Sequence, residues 1–267
     1  MVTEHLLKTV ISCFVCTMQE NQFLLFLNHL RLPYSIPKSF ALLLAFHKEG
    51  HSIAIAGRRL DNLRKISAEL GSCPYAQIDV IQTDAPMQLQ KLIQHLGGMD
   101  IYLHVSGIGK QNRNLDTDIE LTTVETNVMG FTRLINHAYL YFAERGHGHI
   151  AAVTSIAGTK GLGVAPSYSA TKRYCNTYLE ALTQLAYMKG QNITFTDIRP
   201  GFVDTDLLAD KLHYPMLMKP ESVADAIVKG ILKKKHIITI DWRYRILVFF
   251  WQLVPTALWV RIKFIRN

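Results

Sequence analysis

No glycine occurs before Gly50, although the chain has 16 in 267 residues. The amino-terminal segment therefore lacks the residue that most readily turns the backbone or lets another group come close to it. Cysteine is scarce as well, with Cys13, Cys16, Cys73 and Cys175 the full set. Cys13 and Cys16 form a C-x-x-C, a spacing used by redox pairs and by half of a metal site. No second pair or histidine cluster accompanies them, and Phe14 and Val15 make the flanks apolar. Two small buried side chains is the simpler reading. No metal site is expected, and a reducing, cytoplasmic setting is the default.

Long apolar runs are missing too. Val10 to Met18 and Phe23 to Leu30 are separated by the polar Gln19 to Gln22, and the first run is too short to span a bilayer. The start also lacks the cationic lead and small-residue cleavage site of a secretory signal. Outside the carboxyl-terminal tail no Lys/Arg-rich run is interleaved with aromatics. The net charge of +8 thus argues for phosphates or an anionic surface and against nucleic acid. No internal repeat or low-complexity segment occurs.

What is present is alternation. Strand-like segments at Phe23–Leu27, His51–Ala56, Tyr75–Ile78, Asp100–Val105, Asn192–Ile198 and Ile237–Ile240 alternate with helical patterns. Helices are expected over Lys38–Glu49, Leu60–Leu70, Asp84–Leu96, Asp118–Arg145, Ser167–Tyr187 and Pro220–Lys233. This order predicts an α/β fold: one doubly wound parallel sheet, covered on both faces, in a single domain. Residues 38–240 would form that domain, after an atypical segment 1–37 and before an apolar, basic tail 241–267.

The most informative stretch runs from Ser155 to Lys172. A hydrophobic run, His149 to Thr154, ends at Ser155, and a loop with three glycines follows. Tyr168 and Lys172 then lie four residues apart near the start of a helix, which puts phenol and ammonium on one face. An ammonium beside a phenol favours the phenolate, so the pair is suited to proton exchange with a substrate oxygen. A serine hydroxyl from the neighbouring strand end is suited to hold that same oxygen.

This pattern, a serine thirteen residues before Tyr-x-x-x-Lys, resembles the active-site signature of the short-chain dehydrogenase/reductase family. The resemblance covers roughly residues 38–240 and implies a Rossmann-like fold. It also implies hydride transfer between a nicotinamide cofactor and a carbonyl or secondary alcohol. By that likeness Ser155, Tyr168, Lys172 and Asn127 are the catalytic set. Tyr168 would be the acid or base, and Tyr168 and Lys172 would also bind the cofactor, Lys172 at its ribose. Asn127 would bend its helix and support a proton relay.

Arg58 and Arg59, just after the second strand, stand where relatives hold the 2′-phosphate of NADP, so NADP(H) is expected over NAD(H). Asp79 and Val80 resemble the adenine contact, and Gly107 keeps the glycine of a cofactor-facing turn whose asparagines are here His104 and Val105. Pro200, Gly201 and Thr205 resemble the turn that meets the nicotinamide and its carboxamide. The loop Asp206–Lys219 is apolar, which suits a lipid-like or steroid-like substrate. A homo-oligomer built on the long helices is the family expectation.

The likeness fails at one place. Where relatives carry T-G-x-x-x-G-x-G, this chain has Leu30 to Ser39 with no glycine and with Pro33 and Pro37, which lack an N–H donor. Three readings stay open there. In the first, residues 1–37 are something other than the natural start of a working enzyme; in the second, the turn holds the pyrophosphate through Lys38, Ser39 and the helix amino terminus; in the third, the fold serves as a non-catalytic scaffold for a lipid surface or partner. In the tail, Trp242, Trp251, Trp259 and flanking arginines suit an interfacial helix at a membrane, a subunit contact or packing on the chain's own core.

Overall fold

The structure, a computed structural model, describes residues 22–27, 42–43, 45–47, 50–204 and 216–262. Cys13, Cys16, Lys38, Ser39 and Thr205 lie outside these residues, as do the glycine-free turn and most of the apolar loop that follows Thr205.

Among the described residues seven strands form one sheet: β1 (Gln22–Leu27), β2 (Ser52–Gly57), β3 (Tyr75–Gln77), β4 (Ile101–His104), β5 (His147–Val153), β6 (Asn192–Arg199) and β7 (Ile237–Thr239). Their order is β3-β2-β1-β4-β5-β6-β7, and every neighbouring pair is parallel. The chain thus winds outward in both directions from the β1–β4 boundary. In such sheets the crevice beyond the carboxyl ends of the strands is the place for a ligand.

Both faces of the sheet are apolar because successive side chains on a strand point to opposite sides. Ile53 and Ile55 of β2 join one core, while Ala54 and Ala56 between them join the other. Ile101 and Leu103 likewise part from Tyr102. The first core is closed by α1 (Leu60–Glu69), the helical residues 42–43 and 45–47, α6 (Pro220–Leu232) and α7 (Trp242–Leu253). The second is closed by α2 (Ala85–Leu96), α4 (Phe131–Arg145) and α5 (Pro166–Met188).

The helix expected over Asp118–Arg145 is three pieces. α3 (Thr117–Val124) leads into a wider π-helical turn, Glu125–Gly130, before α4 begins. Such widened turns are rare and concentrate at functional sites. The tail is helical as well: α7 is followed by the short α8 (Thr256–Trp259). No helix among the described residues is long and apolar enough to cross a membrane.

Candidate active site

At the carboxyl end of β4 the chain turns through Ser106, Gly107 and Ile108, and the π-helical turn holds this exit. Asn127, 2% exposed, accepts the Ile108 N–H at 2.8 Å and donates to the Ile108 carbonyl at 2.7 Å. A second bond from its amide, 3.1 Å long, reaches the Thr171 hydroxyl on α5. The amide thus satisfies two main-chain groups of a loop that cannot pair with a strand. The widened turn also needs Gly130, since a Cβ there would lie 2.5 Å from a methyl of Val80.

Lys172 is buried on α5 and donates to the Val153 carbonyl at 3.1 Å, one residue before Thr154 and two before Ser155. Its ammonium lies 5.9 Å from the centre of the Tyr168 ring. Two glycines make room for this grouping. A Cβ on Gly107 would sit 3.2 Å from Lys172 Nζ and 3.3 Å from Asn127 Oδ1, and one on Gly109 would run into the Tyr168 ring at 2.5 Å. Tyr168, Lys172 and Asn127 therefore converge on one loop, Gly107–Gly109.

Ser155 is not the last residue of β5. It is the amino-terminal cap of a 3₁₀ turn, Ile156–Thr159, and its Oγ accepts the Ala157 N–H at 3.0 Å. That bond uses the oxygen as acceptor and leaves the hydroxyl hydrogen to be donated elsewhere. The turn presses on α5 so tightly that a Cβ on Gly158 would meet the Lys172 carbonyl at 2.7 Å.

The amino terminus of α5 is fixed by Pro166 in its first turn and by Glu120, whose Oε2 accepts the Ser167 N–H at 3.0 Å. Behind Ser155 lies a network that the sequence reading missed. Asn176, one turn beyond Lys172, donates to Thr154 Oγ1 at 2.9 Å and to Asp197 Oδ2 at 2.8 Å. The Thr154 hydroxyl donates to the other Asp197 oxygen, and Arg199 closes the set through Nε at 2.8 Å and Nη2 at 2.6 Å. The signal was available: an aspartate inside the apolar strand N-I-T-F-T-D-I-R must find partners when buried.

The residues expected to face the cofactor are divided: Arg58, Arg59, Asp79 and Val80 follow β2 and β3 on the other half of the sheet, while Gly107, Pro200 and Gly201 lie on the half that carries Ser155 and Lys172. Arg58 and Arg59 follow β2 at once and are half-buried, with Arg59 capping α1. Asp79 forms a turn after β3, where its Oδ1 accepts the Ile81 N–H at 3.3 Å. Val80 is fully buried and its carbonyl takes a 2.7 Å bond from Arg133. Pro200 leaves β6 beside the 3₁₀ turn, its carbonyl accepting the Ile156 N–H at 3.2 Å. Gly201 lies flat against Tyr244 of α7, where a Cβ would fall 2.2 Å from the ring.

Burial dominates the electrostatics. His104, in the place of the expected asparagine, has its pKa lowered to about 3 by burial and then by the charge of Lys172, so it is neutral; its Nδ1 lies 3.0 Å from the Tyr102 hydroxyl. The Cys175 thiol is pushed up to about 11 by burial, which makes it an inert core side chain. Among the described residues no group of His, Cys, Asp and Glu is placed to hold a metal ion.

A family model described as short chain dehydrogenase matches residues 39–214. A protein of Myxococcus xanthus, described as an uncharacterized oxidoreductase, is 27% identical over 229 residues, covering 83% of this chain and 89% of that relative. Solved structures share the fold. An alcohol dehydrogenase from Thermococcus sibiricus, complexed with 5-hydroxy-NADP, superposes with a TM-score of 0.68 at 20% identity, over 82% of this chain and 96% of its own. A 3-ketoacyl-(acyl-carrier-protein) reductase from Brucella melitensis, complexed with NADH, gives 0.70 at 18% identity, over 84% and 98%.

Proposed function

The chain belongs to the short-chain dehydrogenase family of NAD(P)-dependent oxidoreductases, and from that membership we propose that it interconverts a carbonyl and a secondary alcohol on a hydrophobic substrate, with NADP(H) preferred to NAD(H). The observation that carries the reading is the convergence of Tyr168, Lys172 and Asn127 on the loop at the end of β4, opposite the Ser155 turn at the end of β5.

The described residues fit a nicotinamide dinucleotide by their chemistry. Gly107 and Gly109 let the main chain after β4 lie directly against Lys172 and Tyr168, and two guanidinium groups follow β2. The nicotinamide supplies or accepts the hydride when bound. In reduction the Tyr168 phenol gives its proton to the substrate oxygen, and in oxidation its phenolate takes it back. Ser155 donates its hydroxyl hydrogen to that oxygen as negative charge develops there. Lys172 keeps a positive charge beside the phenol. Asn127 fixes the loop after β4 against which both lie.

Arg58 and Arg59 support the NADP preference through charge and fork geometry toward a 2′-phosphate. Lys38 and Ser39 remain the candidates for the pyrophosphate. The apolar substrate rests on the composition of the loop Asp206–Lys219, whose last methionines, Met216 and Met218, pack on the core. A homo-oligomer through α3, α4, α5 and the π-helical turn belongs to the same proposal, supported by exposed Leu121, Met129, Leu140 and Tyr187. So does a cytoplasmic protein peripheral to a membrane.

The test is titration of the purified chain with NADPH, and with NADH alongside, followed by nicotinamide fluorescence. NADPH binding at least tenfold tighter than NADH is expected. A folded chain that binds neither nucleotide would instead be a member of the family retained as a scaffold, the reading favoured by the glycine-free turn.

A further inference from the structure

Most helices of this fold are apolar on one side. α7 is apolar on two. Tyr244 and Val248 point into the core and Trp251 packs against it. On the opposite side Trp242, Ile246, Phe249, Phe250 and Leu253 follow the helical period, and these residues are 63%, 49%, 60%, 61% and 64% exposed. Leu258 and Val260, in and just after α8, extend the surface at 56% and 71%. A helix apolar all round belongs in a core or against a partner, and among the described residues nothing packs on this outer face.

The charge along the tail itself is of one sign. From Trp242 to Asn267 there are five lysines and arginines and no acidic residue. Arg243 and Arg245 flank the apolar stripe on its two sides, and Arg261 is exposed beyond α8. Asp241, just before the helix, is already paired with Arg243 at 2.6 Å. A second copy docked through this face would bring arginines against arginines with no free acid to meet them. A surface rich in phosphate supplies the missing charge, and its acyl boundary accepts the aromatic rings.

We propose that α7 and α8 form an in-plane docking surface for an anionic lipid bilayer. The same helix is fastened to the loops that frame the site. The Tyr244 hydroxyl accepts the Phe202 N–H at 3.1 Å and donates to the Met216 carbonyl at 3.2 Å, at the two ends of the apolar loop. Trp251 Nε1 donates to Thr159 at 2.8 Å in the Ser155 turn, and Lys160 donates to the Val254 carbonyl at 2.8 Å. Docking therefore holds the mouth of the site close to the bilayer, the phase in which apolar ketones and alcohols dissolve. That delivery role rests on the hydrophobic-substrate reading above; the docking itself does not.

The experiment uses the full chain with vesicles of phosphatidylcholine alone and of phosphatidylcholine and phosphatidylglycerol in equal parts. All three tryptophans lie in this tail, so its emission reports docking directly. Co-sedimentation with the mixed vesicles and a blue shift that Trp242→Phe diminishes are expected. Phe249→Ser with Phe250→Ser should weaken partitioning by roughly tenfold or more. Arg245→Glu should weaken it about fivefold or more, in a salt-dependent way.

Three results would overturn the proposal: no binding to either vesicle, binding that survives the double phenylalanine change, or a dimer in solution that the same change dissociates. NADPH titration of each variant keeps the two questions apart, because vesicle binding needs no cofactor and these side chains touch none of the proposed catalytic groups.

Discussion

The two halves of the sheet's carboxyl edge are built differently. From β4 to β6 each exit is tied to its neighbour by side chains: Asn127 holds Ile108, Lys172 holds Val153, and Asn176 joins Thr154 to Asp197. On the β1 to β3 side the ties among described residues are fewer, and each is local or made by one long side chain, such as Gln77 to the Arg58 carbonyl or Arg133 to that of Val80. The difference teaches that the Ser155, Tyr168 and Lys172 side is held by ties of its own, so the proposed proton-transfer groups and the proposed cofactor-selecting arginines can be perturbed separately.

The sharpest way to break that comparison is Tyr168→Phe. Turnover should fall about 10²- to 10⁴-fold, the usual worth of a positioned acid or base, while NADPH affinity stays within a few fold. Steady-state rates and nicotinamide fluorescence on one preparation would check both. A parallel loss of binding would mean that the two halves are not separable.

Next in size is Asp197→Ala. It strands Arg199, whose side chain is 19% exposed in the pair, and breaks the bonds from Asn176 and Thr154. Removing one partner of a buried pair costs about 3 kcal/mol or more. The urea midpoint should drop accordingly. Asp197→Asn, which keeps the shape, should recover part of the loss.

On the other half, Arg58→Ala with Arg59→Ala should raise the KM for NADPH about tenfold, as expected for loss of a charge-assisted phosphate contact, and leave that for NADH nearly unchanged. Equal effects on both cofactors would remove the phosphate role.

The smallest effect concerns acid. His149 has its pKa lowered to about 4 by burial and then by Lys234, and its Nε2 lies 2.8 Å from the Thr196 hydroxyl. Because the folded pKa lies below the unfolded value near 6.5, the neutral ring favours the fold fully above that value. The contribution drains away as pH falls from about 6.5 toward 4. His149→Gln should flatten the denaturation midpoint across that window.

Much of the architecture was legible in particular residues. Alternation in Ser52–Gly57 and the apolar register of α2 and α4 are local patterns, and each expected strand and helix among the described residues appears within about two residues of its place. The exceptions are instructive. Asn127 was read as a bend in one long helix, whereas the chain widens into a π-helical turn because the amide has a loop to satisfy and Val80 crowds Gly130. Ser155 was read as a strand end and is a cap. Asn176 was passed over although it lies four residues beyond Lys172 and so on the same face.

The sequence by itself determined the winding of the sheet, the pairing of Tyr168 with Lys172 on one helix, and the lack of glycine before Gly50. These are matters of period and spacing, carried by neighbours in the chain. Only the tertiary structure decided that Gly107, Asn127 and Lys172 meet, that Thr154, Asn176, Asp197 and Arg199 close a network, and that α7 turns Phe249 and Phe250 outward. Those contacts join residues tens of positions apart. Which partners meet depends on how the layers pack, and no local pattern encodes that.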